Sequence, residues 1–190
     1  MRRLSEVDET NDSLFSNAHG FYHAALKPGA QLDSLTTKFL HYLQEVLDDF
    51  EANQRSDDIS LFNWARTIVI TASTNALMGP ALLRNNPDLL SSVWLVEGGF
   101  FLFINRIPRM FAKKHYRARD RVHAAFASYF SDEKNRAEGA PAIWDREIQL
   151  RAKGMTTRDI AAYSYSFYAV STSPSVCTTK LNIFPLSRRM

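Results

Sequence analysis

Apolar positions recur in steps of three and four along most of this chain, the period of helices packed by one face. From Leu35 they fall at 35, 39, 40, 43, 46, 47 and 50, which predicts a helix opening near Leu32 with Asp33 beside its cap. Before it, residues 1–17 read as a polar, acidic lead-in, and 19–26 as a short helix stopped by Lys27-Pro28-Gly29. Residues 51–58 form a charged linker. Residues 59–78 are apolar around much of their circumference, so this helix is expected deep in a core, ended by Gly79-Pro80. The next helix takes Asn86 as its cap and Pro87 in its first turn, and runs through Trp94 to Gly98-Gly99. The apolar run 100–104 fits a strand or a helix end; the lack of neighbouring strand signals favours the helix. After Pro108 the pattern predicts an amphipathic helix over 111–130, a polar loop over 131–140 and a helix over 142–153 closed by Gly154. Thr156-Thr157-Arg158-Asp159 then opens a last helix that reaches Val170 or beyond, with an acid three residues after a hydroxyl. The fold class is all-α, with six to eight helices.

Composition adjusts this picture only at the margins. The 13 Phe, 7 Tyr and 3 Trp suit a large core or an apolar pocket. Seven Gly and seven Pro are too few for a chain of many tight β-turns. A formal net charge of +3 gives no argument for nucleic acid, and basic and aromatic residues are not interleaved as in a nucleic-acid module. The single cysteine, Cys177, excludes an internal disulfide and a cysteine-based zinc site. No 18-residue apolar run predicts a membrane span, and no apolar stretch behind Met1-Arg2-Arg3 makes a signal peptide.

Candidate chemistry is sparse. His19 and His23 stand one helical turn apart, a spacing that suits a metal, yet no third ligand accompanies them and no metal site is predicted. Between Arg106 and Arg121 lie seven basic residues against one acid, Asp120. With Phe111, Val122 and Phe126 they form a basic amphipathic helix, suited to an anionic membrane surface or a partner, with a solvated face as the simpler alternative. There is no phosphate loop, nucleophile elbow or zinc motif.

Several blocks together carry a family resemblance. They are Pro28-Gly29-Ala30-Gln31-Leu32-Asp33, the helix from Trp64 into Asn75-Ala76-Leu77-Met78-Gly79-Pro80, and the pair Trp94-x-x-Glu97. Pro108 with the helix over 113–121, then Gly154-Met155-Thr156-Thr157-Arg158-Asp159-Ile160 and Ser171-Thr172-Ser173-Pro174, complete the set. Their order resembles the middle of a fungal cytochrome P450 of the branch related to sterol 7-hydroxylases and prostacyclin synthase. The resemblance implies that residues 1–176 are a partial domain, the central helical portion of that fold, cut within the long helix that crosses the haem. It implies an apolar small-molecule substrate from fungal secondary metabolism, a reductase as redox partner, and an endoplasmic-reticulum anchor in intact relatives. Thr172 takes the place of the hydroxyl that relays protons near iron-bound oxygen, with Ser171 where the branch has asparagine. Phe100, Phe101, Phe103, Phe167 and Tyr168 would line the substrate pocket.

Residues 177–190 depart from the family and read as translated intron or a frameshift. The haem thiolate of the family comes from a Phe-x-x-Gly-x-x-x-Cys-x-Gly loop, and Cys177 has no such residues around it. Haem therefore belongs to the intact family, and none is expected on this chain. The alternative to a monooxygenase is a non-catalytic helical fragment with at most a binding role. Such a fragment is expected to be poorly soluble, because it exposes apolar surface that further structure would cover.

Overall fold

A computed structural model describes residues 27–53, 60–166 and 168–169. Helices α1 (Ala30–Asn53), α2 (Leu61–Met78), α3 (Ala81–Asn85), α4 (Leu89–Gly98), α5 (Phe100–Ile104), α6 (Lys113–Ser131) and α7 (Pro141–Ala152) follow in order, with a 3-10 turn at Glu133–Ala137 before α7. A last helix, α8, occupies 157–166 and 168–169. No strand occurs among the described residues, so the fold is all-α as the periodicity predicts.

Two helix pairs organise the molecule: α1 lies along α2, and α4 lies along α6. In α2 the buried positions form two rows spaced by four, Ile68-Ala72-Ala76 and Ile70-Thr74-Met78. A step of two turns the side chain by about 200°, so the rows lie on opposite faces and the helix is packed from two sides. Its deep burial is confined to this second half, since Leu61 is 57% exposed.

Helix α6 is the hub. Its Phe126 is fully buried and meets the rings of Tyr165 and Tyr168 on α8 edge-on, at 5.9 and 5.6 Å. At its far end Tyr129 stacks on Trp144 of α7 at 5.3 Å, and Phe130 meets the same indole at 5.6 Å. Offset and edge-on contacts of this kind add to area burial because ring edges are positive and faces negative. Helix α6 starts at Lys113, two residues later than the pattern suggests, and Phe111 lies outside it, 77% exposed. Val122 and Phe126 form its buried stripe as expected.

The end of α2 shows how loose carbonyls are satisfied, a need of every helix terminus. Gly79 N–H donates to Asn75 O, Ala140 N–H donates to Leu77 O at 2.9 Å, and the Tyr129 hydroxyl donates to Met78 O. Gly79 adopts φ 76°, ψ 165°, a region essentially reserved for glycine, and a Cβ there would fall 2.6 Å from Glu138 Cβ. The close approach lets the Glu138 carboxylate accept the first free N–H of α3, at Ala81, 3.0 Å away.

Helix α3 is absent from the sequence reading. Pro80 ends α2 and at once opens this single turn, because its missing N–H costs nothing at a helix start. Asn86 consequently serves the other side: its Nδ2 donates to Leu82 O at 3.0 Å at the end of α3, and the residue flanking α4 is Asp88. The start of α8 follows the sequence closely. The Thr156 hydroxyl donates to Asp159 at 2.6 Å, and the Asp159 N–H donates back to the Thr156 hydroxyl at 3.3 Å. The hydroxyl's bond first, and second the Thr156 N–H donating to the same carboxylate oxygen at 3.2 Å, hold the Asp159 carboxyl below its ordinary pKa.

Candidate functional site

Three places concentrate chemistry-bearing side chains. The first is the buried junction of α2, α6 and α8. Thr74, fully buried, donates to Ile70 O at 2.6 Å, so its one proton is committed. The Tyr168 hydroxyl, 2.7 Å from Thr74 Oγ1, is then the donor of that bond. Burial is the main reason the Tyr168 phenol is held far above its ordinary pKa, and the nearby Glu97 carboxylate adds to it. Beside it Tyr165 is pushed up to about 12, again by burial first and Glu97 second. Both phenols are therefore neutral hydrogen-bonding groups at ordinary pH. A small cleft next to them is lined by Leu77, Met78, Ile143, Arg146, Ser164 and Tyr168.

The second place joins α2 to α4. Arg66 is the one charged residue of α2, and its guanidinium donates to Glu97 Oε2 at 2.6 Å. The same guanidinium lies over the indole of Trp94, 4.7 Å from the ring centroid. The two ionised side chains are 19% and 21% exposed, enough shielding for the pair to count and enough water to spare it full desolvation. The sequence pair Trp94-x-x-Glu97 is thus one clamp on a single arginine.

The third place is the surface from α5 into α6. Phe100 and Phe101 are 58% and 75% exposed, whereas Phe103 turns inward and meets Tyr116 edge-on at 5.1 Å. Arg119 lies over both Phe103 and Tyr116, and Arg109 lies over Tyr116 and pairs with Asp120. Tyr116 donates to Ile107 O at 2.9 Å, and Gly99 lets the His115 ring approach closer than any Cβ would permit. An open groove beside these residues is lined by Lys113, Lys114, Arg117, Asp120, Arg121 and Ala124.

The predicted site residues are accordingly dispersed. Phe100 and Phe101 are at the surface, Phe103 is half-buried between α5 and α6, and Tyr168 is in the core. Phe167, Thr172, Cys177, His19 and His23 lie outside the described residues. Thr74 and Arg66 were not singled out from the sequence. A charged residue isolated in an otherwise uncharged helix was the signal for Arg66; Thr74 had none, because a threonine that bonds its own helix looks like any other.

Haem chemistry of the cysteine-ligated kind needs a thiolate. The one cysteine of the chain is Cys177, so the described helices supply no such ligand. Among the described residues no cluster of three His, Cys, Asp or Glu side chains is placed to hold a metal ion. The described helices do not fit the role of ligating the iron.

Comparison with known proteins gives two relatives and no family model or solved structure that matches. The chain is 25% identical over 146 residues to the cytochrome P450 monooxygenase nodJ of Hypoxylon pulicicidum, a match covering 75% of this chain and 27% of that protein. It is 25% identical over 130 residues to the cytochrome P450 monooxygenase poxD of Penicillium oxalicum, covering 65% of this chain and again 27% of the relative. The chain thus spans about a quarter of the length of the curated relatives it matches. An all-α chain with this similarity to two fungal monooxygenases is related at low identity to the cytochrome P450 monooxygenases.

Proposed function

We propose that this chain is the central helical portion of a haem-thiolate monooxygenase that oxidises an apolar small molecule in fungal secondary metabolism. The observation that carries the reading is the similarity of most of the chain to two fungal cytochrome P450 monooxygenases. In this reading the described helices do not ligate haem; they form part of the walls around it. The haem, when bound, supplies the oxygen chemistry. Thr172 is the hydroxyl that holds a proton for transfer, and Phe103 and Phe167 contribute apolar lining, while Phe100 and Phe101 stand at the surface and Tyr168 serves the core. The assignment to the branch of sterol 7-hydroxylases rests on the order and spacing of the matching blocks, among them Pro28-Gly29-Ala30-Gln31-Leu32-Asp33 and Ser171-Thr172-Ser173-Pro174. A reductase supplies electrons to the whole enzyme, and the basic stretch from Arg106 to Arg121 faces a membrane surface.

The test is to express the protein encoded by the full spliced transcript and record its spectrum with carbon monoxide after reduction. A thiolate-type spectrum, with product formation lowered about 100-fold or more by Thr172→Ala through the lost proton relay, is the expected result. No haem in the purified protein contradicts the reading.

A second reading applies to the 190-residue chain by itself: a helical binding module without oxygenation. The observation favouring it is that Cys177 is followed by Thr178, Thr179 and Lys180, with none of the glycines of a haem-binding loop. The spliced transcript separates the readings: one that runs on into a glycine-flanked cysteine supports the first, and one that stops after Met190 supports the second.

A further inference from the structure

We infer that the cleft between the α3–α4 turn and the middle of α6 is a binding site for a small zwitterion, a molecule of the amino-acid class with one carboxylate and one ammonium group. The site goes beyond the monooxygenase reading and uses no residue given a part in oxygenation. Its volume of ≈ 400 Å³ lies within the roughly 300–1,000 Å³ of small-molecule sites. On the α6 side Ala124 and Ala125 are too short to fill the space. The opposite wall is pinned. Asn86 N–H donates to Leu83 O at 3.1 Å, its Nδ2 donates to Leu82 O at 3.0 Å, and its carbonyl accepts from Leu89 N–H at 2.9 Å. With Pro87 fixing its own φ, the turn is set before a ligand arrives, which spares binding the entropy of ordering a loop.

Three polar side chains lining the cleft are uncommitted. Ser92 is 2% exposed, yet its hydroxyl makes no hydrogen bond among the described residues. Its neighbour Ser91, by contrast, donates to Asp88 O at 2.9 Å. A buried hydroxyl calls for a partner, and the cleft is where one can reach it. Asp88 flanks the start of α4, where a carboxylate ordinarily accepts the first free N–H groups, and it makes no such bond. Arg121 faces the same cleft from α6. Among the described residues neither Asp88 nor Arg121 has an ion-pair partner, and they do not pair with each other. An anion alone meets repulsion from Asp88, and a cation alone meets it from Arg121. A ligand with both charges answers both: the guanidinium fork takes the carboxylate, Asp88 takes the ammonium, and the Ser92 hydroxyl adds a bond from the floor. Because the two side chains do not reach each other, the ligand needs a short chain between its charges.

The experiment is equilibrium dialysis of the full 190-residue chain against labelled γ-aminobutyrate, with glycine, butyrate, butylamine and sulfate as competitors. Saturable binding is expected, with glycine weaker for want of length. Butyrate and butylamine each keep one charge and should compete about tenfold more weakly, since each gives up a charge-assisted hydrogen bond. Arg121→Gln should weaken γ-aminobutyrate about tenfold and leave butylamine no weaker; Asp88→Asn should do the same and leave butyrate no weaker. Ser92→Ala should cost about threefold on all of them. Arg121 and Asp88 are exposed, so circular dichroism should be unchanged in their variants, and a lost affinity then reads the site and not the fold. No saturable binding of γ-aminobutyrate or glycine overturns the proposal. Butyrate or sulfate competing as well as γ-aminobutyrate means an adventitious ion only and overturns it too, as do Arg121→Gln and Asp88→Asn variants that bind unchanged. The oxygenation reading is decided separately, by the spectrum with carbon monoxide.

Discussion

Tyr168 shows how little of a residue's role is visible in its type. Its position near the end of an aromatic-rich helix suits pocket lining, and the structure places it 1% exposed with its hydroxyl on Thr74. Phe100 and Phe101 are chemically similar and sit at the surface. Periodicity alone does not separate them, because 100–104 is one short turn with too few residues to define a face. Burial also makes the tyrosines report on stability. Tyr129, Tyr165 and Tyr168 all have phenols raised above the ordinary 10.0, with burial as the leading cause. In the unfolded chain they ionise near that value, while in the folded chain they stay neutral. Their contribution is therefore fully present below pH about 10 and is lost as pH rises through the folded values, Tyr165 first near 12. Denaturant midpoints should fall steadily above pH about 10, together with a delayed tyrosinate absorbance. Midpoints that stay level to the point of base hydrolysis would show these rings to be solvated.

Elements were the most legible level. The steps of three and four, the Gly79-Pro80 break, the Gly98-Gly99 stop and the Thr156–Asp159 start all correspond to observed boundaries. Two differences meet at the prolines: Pro80 opens α3 as well as ending α2, and Asn86, with Pro87 after it, closes α3 where the pattern makes it the cap of α4. Which helices meet was not legible at all, because the Arg66–Glu97 bond spans 31 residues and the Thr74–Tyr168 bond spans 94. The first of these long-range links has a measurable energy. Arg66→Met alone should cost about 2 kcal/mol, below the roughly 3–5 kcal/mol of a fully buried pair because each partner is about a fifth exposed. Adding Glu97→Leu should recover most of the loss, with the coupling read from a double-mutant cycle. Additive costs would mean that α2 and α4 are held by packing alone. At the end of α2, Gly79→Ala should cost at least about 2 kcal/mol, since it combines a glycine-only backbone with the contact on Glu138. A loss near zero in urea titration would mean the 138 loop moves away freely.

At the scale of the whole molecule, the described helices form one aromatic core around α6 with an exposed apolar segment at one end. The all-α class followed from the sequence pattern, and the family resemblance is supported by similarity to two fungal monooxygenases. The candidate site was less legible, for a physical reason: lining a pocket is a property of several elements together, and periodicity along one element does not say that Phe103 meets Tyr116 while Tyr168 meets Thr74. Solubility belongs to this scale as well, since apolar side chains left in water favour association. The central claim is that this chain is part of a haem-thiolate monooxygenase. The most direct test is the sequence of the spliced transcript across the codons for Ser175 and Cys177. The account predicts an open frame that continues into an apolar helix and, further on, a Phe-x-x-Gly-x-x-x-Cys-x-Gly loop. A transcript that instead encodes Cys177 to Met190 and then stops would contradict it, leaving a helical module whose role is binding.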